Sequence, residues 1–155
     1  DVPKHVRRRV LEASVRAPQE WHHDAVRAAY DSDDGDWILT AVFSMRWVRG
    51  FGSQIIEMLE SDNPDIHYQA VRAAGNWGLD AAWPHVSGLV RASVTDKPLL
   101  LAAIDAVTNI RPQEAGLILM DLTDADDEDI VDAAHEAIHM AEGLSRDEFD
   151  DEIEG

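Results

Sequence analysis

The stretch "DNPDIHYQAVRAAGNWG", residues 62–78, predicts a helix with a well-marked beginning. Pro64 stands at its front, where the missing backbone N–H costs nothing. Behind it, Ile66, Ala70 and Ala73 recur at the spacing of one helix face. Because two of these three residues are small, we expect a neighbouring helix to pack closely against this face.

The same nine-residue pattern occurs five times, with starts separated by 31, 29, 33 and 31 residues. Its first position is large and apolar, its fifth small or β-branched, as in Val10, and its eighth small, as in Ala13. The copies occupy residues 6–14, 37–45, 66–74, 99–107 and 130–138. Shorter second helices are expected after the first four, at 20–30, 53–59, 83–92 and 114–122. A helix pair about every 30 residues, without period-2 alternation, predicts an all-α solenoid of about four helical hairpins plus a closing C-terminal helix.

Residues 62–78 resemble the first helix of a HEAT repeat of the short, phycobilisome-lyase-like kind. The residues in register with that family's pattern are Asp62, Ile66, Ala70, Ala73, Gly75 and Gly78, whereas His67 replaces the usual arginine. The resemblance covers about residues 3–143. It implies a right-handed superhelical stack whose second helices line a concave surface, and a binding scaffold rather than a particular chemistry.

Polar clusters and single glycines indicate the expected helix ends and the domain boundary. Clusters of Asp, Ser and Asn at 30–36, 60–65 and 123–129 are expected to supply N-caps. Glycines are expected just beyond helix ends at Gly50, Gly78 and Gly143. We therefore predict a repeat domain over 1–144 and an acidic, flexible tail over 145–155. In the alternative, Phe149 and Ile153 make that tail a short amphipathic helix.

Charge is the extreme feature of the composition. The chain has 31 acidic and 13 basic residues, a net charge of −18, and its lysines are just Lys4 and Lys97 against 11 arginines. Self-repulsion on this scale destabilises a compact state in dilute buffer, whereas at 1 M salt the Debye length falls to about 3 Å. This usage resembles that of salt-accumulating haloarchaea and predicts a cytoplasmic protein adapted to molar salt; an ordinary acidic domain is the alternative.

Several classes are excluded or disfavoured by composition. No Cys is present, so disulfides and thiolate chemistry are excluded, and no apolar run approaches the length of a membrane span. An acidic surface is a poor partner for phosphate backbones, so neither nucleic acid nor membrane is an expected partner. The chain begins with Asp1 rather than Met, so we expect a trimmed product or a domain of a longer protein.

His135, Glu136 and His139 spell H-E-x-x-H, in which two histidines bind zinc and the glutamate activates water. A catalytic zinc needs a third protein ligand, but Glu142 and Ser145 occupy the positions that a metzincin gives to Gly and His. Helical phase groups Ala133, Ala134, Ala137, Ile138, Met140 and Ala141 on the apolar face and leaves the motif on the polar face. The prediction is no catalytic residue, no cofactor, and at most a surface metal site at His135 and His139.

Three further features of the sequence suggest a chemistry. Deoxyhypusine hydroxylase, a HEAT-repeat iron enzyme, needs several His-Glu pairs, and this chain offers one at His135-Glu136. His22 and His23 point about 100° apart on a helix and are expected to be solvated. HEAT-like DNA glycosylases use aromatic and basic residues, and the comparable ones here are Trp21, Trp37, Trp47, Trp77, Trp83, Arg27, Arg46, Arg49, Arg72 and Arg91.

Together these patterns predict a non-enzymatic protein-interaction or scaffold module that binds an unidentified protein partner along its concave face. A monomer is the expected state. Two alternatives stay open: a metal-binding HEAT-repeat enzyme that uses His135, Glu136 and His139, and a degenerate relative of the HEAT-like DNA glycosylases.

Overall fold

The computed structural model describes residues 1–92 and 94–154, with residues 146–154 as helical backbone. This part of the chain contains no strand, so the all-α prediction is confirmed. Nine α-helices occur in it: α1 (Lys4–Ser14), α2 (Glu20–Tyr30), α3 (Gly35–Ser44), α4 (Gly52–Met58), α5 (Pro64–Trp77), α6 (Trp83–Arg91), α7 (Lys97–Ile110), α8 (Pro112–Leu119) and α9 (Glu128–Glu154). They form two compact units, unit 1 (Asp1–Trp77) and unit 2 (Gly78–Gly155).

The helices fall where the repeat pattern places them. The five copies of the pattern lie in α1, α3, α5, α7 and α9, and the four shorter segments lie in α2, α4, α6 and α8. The last of these segments departs from the prediction: α8 ends at Leu119, and a 3₁₀ turn, Met120–Asp124, completes it.

Three helix starts are capped as the Asp- and Asn-rich clusters predict. The carboxylate of Asp34 accepts hydrogen bonds from the backbone N–H groups of Asp36, at 3.0 Å, and Trp37, at 3.4 Å. The amide oxygen of Asn63 accepts one from the backbone N–H of Asp65 at 2.9 Å, and the carboxylate of Asp127 accepts one from that of Asp129 at 2.9 Å. These bonds satisfy backbone donors that the first helical turn leaves without a partner.

The glycine prediction holds at Gly78, which follows α5 directly and has φ +60°, the left-handed conformation expected beyond a helix end. Gly50 also has a left-handed φ, +102°, but it lies well beyond the end of α3 at Ser44 and just before the start of α4. Gly143, however, lies inside α9, which continues to Glu154. The predicted side-chain pattern of the tail, Phe149 and Ile153, lies outside the residues whose side chains the structure describes.

In unit 1, α3 packs against α1, α2 and α5, and α4 packs against α5. The small residues of the second and third copies, including Ala41 and Ala73, are buried as predicted. The first copy is misplaced by one residue: Val10 is 60% exposed, whereas Leu11 and Val15 are buried. One residue is 100° of helix rotation, and it turns toward α3 the face that bears Leu11 rather than Val10.

In unit 2, α7 packs against α6, α8 and α9, and α8 also packs against α9. The small positions of the fourth and fifth copies, Ala103, Ala106, Ala134 and Ala137, are all buried. The prediction that small residues let successive helices pack closely is therefore confirmed in this unit.

Each unit contains one lysine clamp, which we define as a lysine that bridges two aspartates at the start of a later helix. The Lys4 ammonium lies 3.1 Å from Asp34 and 3.0 Å from Asp36. Lys97 repeats the arrangement with Asp127 at 3.0 Å and Asp129 at 2.6 Å. Both clamps span equivalent positions of consecutive copies of the repeat, α1 to α3 and α7 to α9.

The clamps shift the acid–base behaviour of their members. Hydrogen bonds that the ammonium of Lys4 donates to Asp36 and then to Asp34 raise the pKa of Lys4. Those that Lys97 donates to Asp129 and then to Asp127 raise the pKa of Lys97. Surface ion pairs of this kind contribute little to the free energy of folding. The clamps fix the register of the helix starts more than they stabilise the fold.

Candidate functional site

The H-E-x-x-H residues lie on the exposed side of α9. His135, Glu136 and His139 are exposed, while Ala134 and Ala137 on the opposite side are buried. The helical phase thus predicted their face correctly, but it placed Met140 on the apolar face, and Met140 is 53% exposed.

Among the described residues, no group of three or more His, Asp or Glu side chains is arranged to hold a metal ion. A structural or catalytic zinc site takes at least three protein ligands. Metal binding at His135 and His139 therefore stays a prediction for a surface site of two ligands.

His22 is not solvated, and that prediction was wrong. Its side chain is 1% exposed, its ring stacks on Trp21 at 3.8 Å, and its Nε2 lies 2.9 Å from the hydroxyl of Ser14. Its Nδ1 accepts a hydrogen bond from the backbone N–H of Gln19 at 2.8 Å, which makes it part of a capping box at the start of α2. His23 is half-buried and stacks on Phe51 at 4.6 Å.

The Ser14–His22 pair has the residues of a catalytic dyad but the wrong proton arrangement. Because Nδ1 accepts from a backbone N–H, the neutral ring carries its proton on Nε2, which donates to Ser14. The Ser14 hydroxyl in turn donates to the carbonyl of Leu11 at 3.0 Å. A general base for a serine nucleophile needs a free lone pair on the nitrogen that faces the hydroxyl. This pair therefore joins α1 to α2 and activates no nucleophile.

Most tryptophans serve internal packing. Trp83 is buried, and Trp37, Trp47 and Trp77 are half-buried. The Trp77 indole N–H donates to the carbonyl of Met45 at 2.6 Å. The exception is Trp21, which is 54% exposed.

Arginines that could have formed a nucleic-acid surface are placed on these rings. Arg46 lies 4.7 Å and Arg16 5.1 Å from the Trp47 ring centre, and Arg49 lies 5.4 Å from that of Trp77. Burial, and then the charge of Arg72, lowers the pKa of Arg46. Such cation–π contacts occupy Arg46 with Trp47 and Arg49 with Trp77 within unit 1, so these four residues of the glycosylase-like set pair with one another.

An apolar groove lies at the first hairpin. We call it the α1–α2 groove; it has a volume of about 360 Å³ and is lined by Arg7, Val10, Leu11, Trp21, Ala25, Ala28, Ala29, Ser32 and Trp37. Helix α1 contributes one wall, α2 the other, and Trp37 from α3 closes it. Val10, 60% exposed, and Trp21 lie on opposite walls.

The electrostatics of the groove differ from those of the rest of the chain. Arg7 is the charged residue of its lining, and its guanidinium lies 5.8 Å from the ring centre of Trp37. Unit 1 carries twelve acidic and nine basic residues, whereas residues 78–155 carry nineteen and four. The groove thus lies in the nearly neutral part of a strongly acidic chain.

Sequence reasoning missed this groove, although a signal was present. Val2, Val6 and Val10 recur every four residues in a segment rich in arginine, and all three are exposed. An apolar row beside basic residues indicates an uncovered face, and Val10 of this row lines the groove.

Comparison with known proteins returned neither a matching protein-family model nor a matching curated protein. Within the described residues, no helix has both the length and the apolar character needed to cross a membrane. The HEAT resemblance therefore rests on the residues quoted for it, and the geometry defines an all-α protein with an apolar groove.

Proposed function

We propose that this chain is a non-enzymatic interaction module of HEAT-like helical repeats that binds a helix of a protein partner in the α1–α2 groove. The observation that carries the proposal is the 54% exposure of Trp21 on the wall of an apolar groove of about 360 Å³. A half-exposed tryptophan beside small residues is the usual anchor of a protein interface, because it loses much apolar area to a partner.

The dimensions of the groove favour an apolar helix face. Ala25 and Ala28 leave the α2 wall low, so a helix backbone can approach closely. A volume of about 360 Å³ accommodates the few side chains that a helix presents at i, i+3, i+4 and i+7. Arg7 at the edge favours an acidic residue on the flank of that helix.

The proposed binding surface differs from the one that the family resemblance implies. That resemblance points to the concave face formed by second helices. The uncovered apolar area of the first hairpin supports its outer face instead, where a preceding repeat would pack in a longer stack.

The two candidate catalytic groups described above do not form a complete catalytic site. The Ser14–His22 pair is held in a structural proton arrangement, and the exposed His135 and His139 have no third metal ligand among the described residues. These observations support a binding role without catalysis.

The test is selection of helical peptides from a displayed library against the protein in molar KCl. We expect enriched peptides with apolar residues at i, i+3, i+4 and i+7 and an acidic flank. These peptides should bind a Val94→Glu control, because Val94 is 90% exposed and lies outside the groove. They should fail to bind Val10→Glu, because Val10 lines the groove. Failure to enrich any such peptide, or equal binding to both variants, would contradict the proposal.

A further inference from the structure

Two arginine side chains lie over one tryptophan ring in unit 1. The guanidinium carbons of Arg16 and Arg46 lie 5.1 Å and 4.7 Å from the centre of the Trp47 ring. Arg16 follows the end of α1, and Arg46 follows the end of α3. None of these three residues lines the α1–α2 groove. We call Arg16 and Arg46 the arginine pair.

The arginine pair concentrates positive charge at one place. Burial lowers the pKa of Arg46, and the charges of Arg72 and Arg16 lower it further. Like charges held close together oppose each other's ionised form unless an anion lies beside them. No carboxylate of the described residues forms an ion pair with either member of the arginine pair. The pair therefore favours an anion that the described part of the chain does not supply.

The contact with the indole leaves the hydrogen-bond donors of the arginine pair unused. A cation–π contact engages the flat face of a guanidinium, whereas its five N–H groups point outward in the plane. Within the part of the chain that the structure describes, neither side chain donates a hydrogen bond. Lys4, Lys97 and Arg111, in contrast, all form ion pairs with aspartates. Arg46 is half-buried, so its donors are less accessible to water than those of a fully exposed arginine.

We propose that the arginine pair binds a phosphate dianion, supplied as inorganic phosphate or as the phosphoryl group of a small phosphate ester. The planar fork of a guanidinium matches two oxygens of a phosphate group, and such charge-assisted bonds are the strong ones. A dianion offsets two adjacent positive charges, whereas one carboxylate offsets half of them. This inference goes beyond the proposed function, because the site shares no residue with the α1–α2 groove.

A small anion fits this site better than a nucleic acid does. The Trp47 ring already contacts two guanidiniums and the Phe43 ring, whose centre lies 4.9 Å away, so the indole is engaged where a base would stack. A net charge of −18 repels a polyanion more strongly than a single phosphate. Molar salt screens that long-range repulsion, and it screens a contact with the half-buried Arg46 less.

The test is titration of the whole chain with inorganic phosphate in molar KCl, followed by the phosphorus NMR line width. We expect saturable binding of one phosphate per chain. Arg16→Gln and Arg46→Gln should each weaken it by about tenfold or more. The matched control is Arg9→Gln, which removes the same charge at an exposed position of α1 and should change the affinity by less than about twofold. Circular dichroism checks that the variants are folded.

A second measurement uses the wild-type chain and does not depend on how the variants fold. Phosphate should slow the modification of Arg16 and Arg46 by phenylglyoxal, read by mass spectrometry, and should leave the rate at Arg9 unchanged. Phenyl phosphate serves as the ester probe: equal affinity indicates an ester as the ligand, and binding of inorganic phosphate alone indicates the free ion. Absence of saturable binding, equal weakening by Arg9→Gln, or absence of protection would overturn the proposal. None of these results bears on the peptide test of the groove.

Discussion

Removal of the hydroxyl from Ser14 is expected to destabilise unit 1, because the buried imidazole of His22 loses the acceptor for its Nε2 proton. A buried donor left without a partner costs about 1–3 kcal/mol. The same change removes the hydrogen bond of 3.0 Å from Ser14 to the carbonyl of Leu11 near the end of α1. We therefore expect Ser14→Ala to lower the free energy of unfolding by about 2 kcal/mol.

His22→Ala should cost more, about 3 kcal/mol, because it removes a side chain that is 1% exposed and leaves a cavity as well as unpaired polar groups. Both single variants break the same hydrogen bond of 2.9 Å, so their effects should not add. The double variant should be less destabilised than the sum by about 1 kcal/mol.

Urea unfolding in molar KCl, followed by tryptophan fluorescence, measures these energies. Four of the five tryptophans, Trp21, Trp37, Trp47 and Trp77, lie in unit 1, so the signal reports mainly on that unit. His139→Ala is the control, since an exposed histidine should change the energy by less than about 0.5 kcal/mol. A Ser14→Ala effect no larger than this control, or strict additivity in the double variant, would refute the assigned proton arrangement.

Four further predictions follow from the charge, the packing and the histidines. Helicity and thermal stability should rise from dilute to molar KCl as the repulsion of a net charge of −18 is screened, and a flat response by circular dichroism would contradict adaptation to salt. Trp77→Phe should lower the free energy of unfolding by at least about 1 kcal/mol through loss of the bond to Met45, whereas Trp21→Phe should change it by less than about 0.5 kcal/mol; equal urea midpoints for both would count against this. Gly50→Ala should cost about 1–2 kcal/mol, because φ is +102° and the new Cβ would lie 3.3 Å from the His23 ring, and unchanged thermal unfolding would disprove that strain. Zinc should be lost on dialysis, and any residual binding should disappear in His135→Ala; one zinc per chain retained after dialysis, by metal analysis, would restore the metal-enzyme alternative.

The existence and order of the helices were accessible from sequence because local signals agreed with one another. Pro64 and Asn63 mark the start of α5, and Ala70 and Ala73 mark its buried face, so periodicity and capping give the same helix. Agreement of this kind lets a single sequence specify its secondary structure.

The predictions that were wrong concern features that depend on contacts between helices. His22 is adjacent to another histidine and carries no sign of burial, and the reason for its burial is Ser14 on the preceding helix. The register of the first copy failed for a similar reason: Val10 and Leu11 are equally apolar, and only the position of α3 selects which of them is buried. The helix end expected at Gly143 is absent: α9 continues past this residue, because a lone glycine inside a helix costs only about 1 kcal/mol.

The candidate site was the part of the molecule that could least be predicted from the sequence. The H-E-x-x-H motif matches a zinc-binding signature in sequence, yet His135 and His139 lie on the exposed face of α9. The groove has no motif, because shape and uncovered area arise only when Trp21, Val10 and Trp37 from three helices come together.

The lysine clamps also provide two chemical probes of motion, one in each unit. Lys4 and Lys97 are the only side-chain amines of the chain, and each unit contains one of them. Acylating reagents attack an amine only after it loses its proton, and the bridging aspartates raise the pKa of both lysines. When a clamp opens, its amine regains ordinary reactivity. The rate of acylation at each lysine, read by mass spectrometry, therefore reports how often the clamp between α1 and α3 opens in one unit and the clamp between α7 and α9 in the other, without any engineered label.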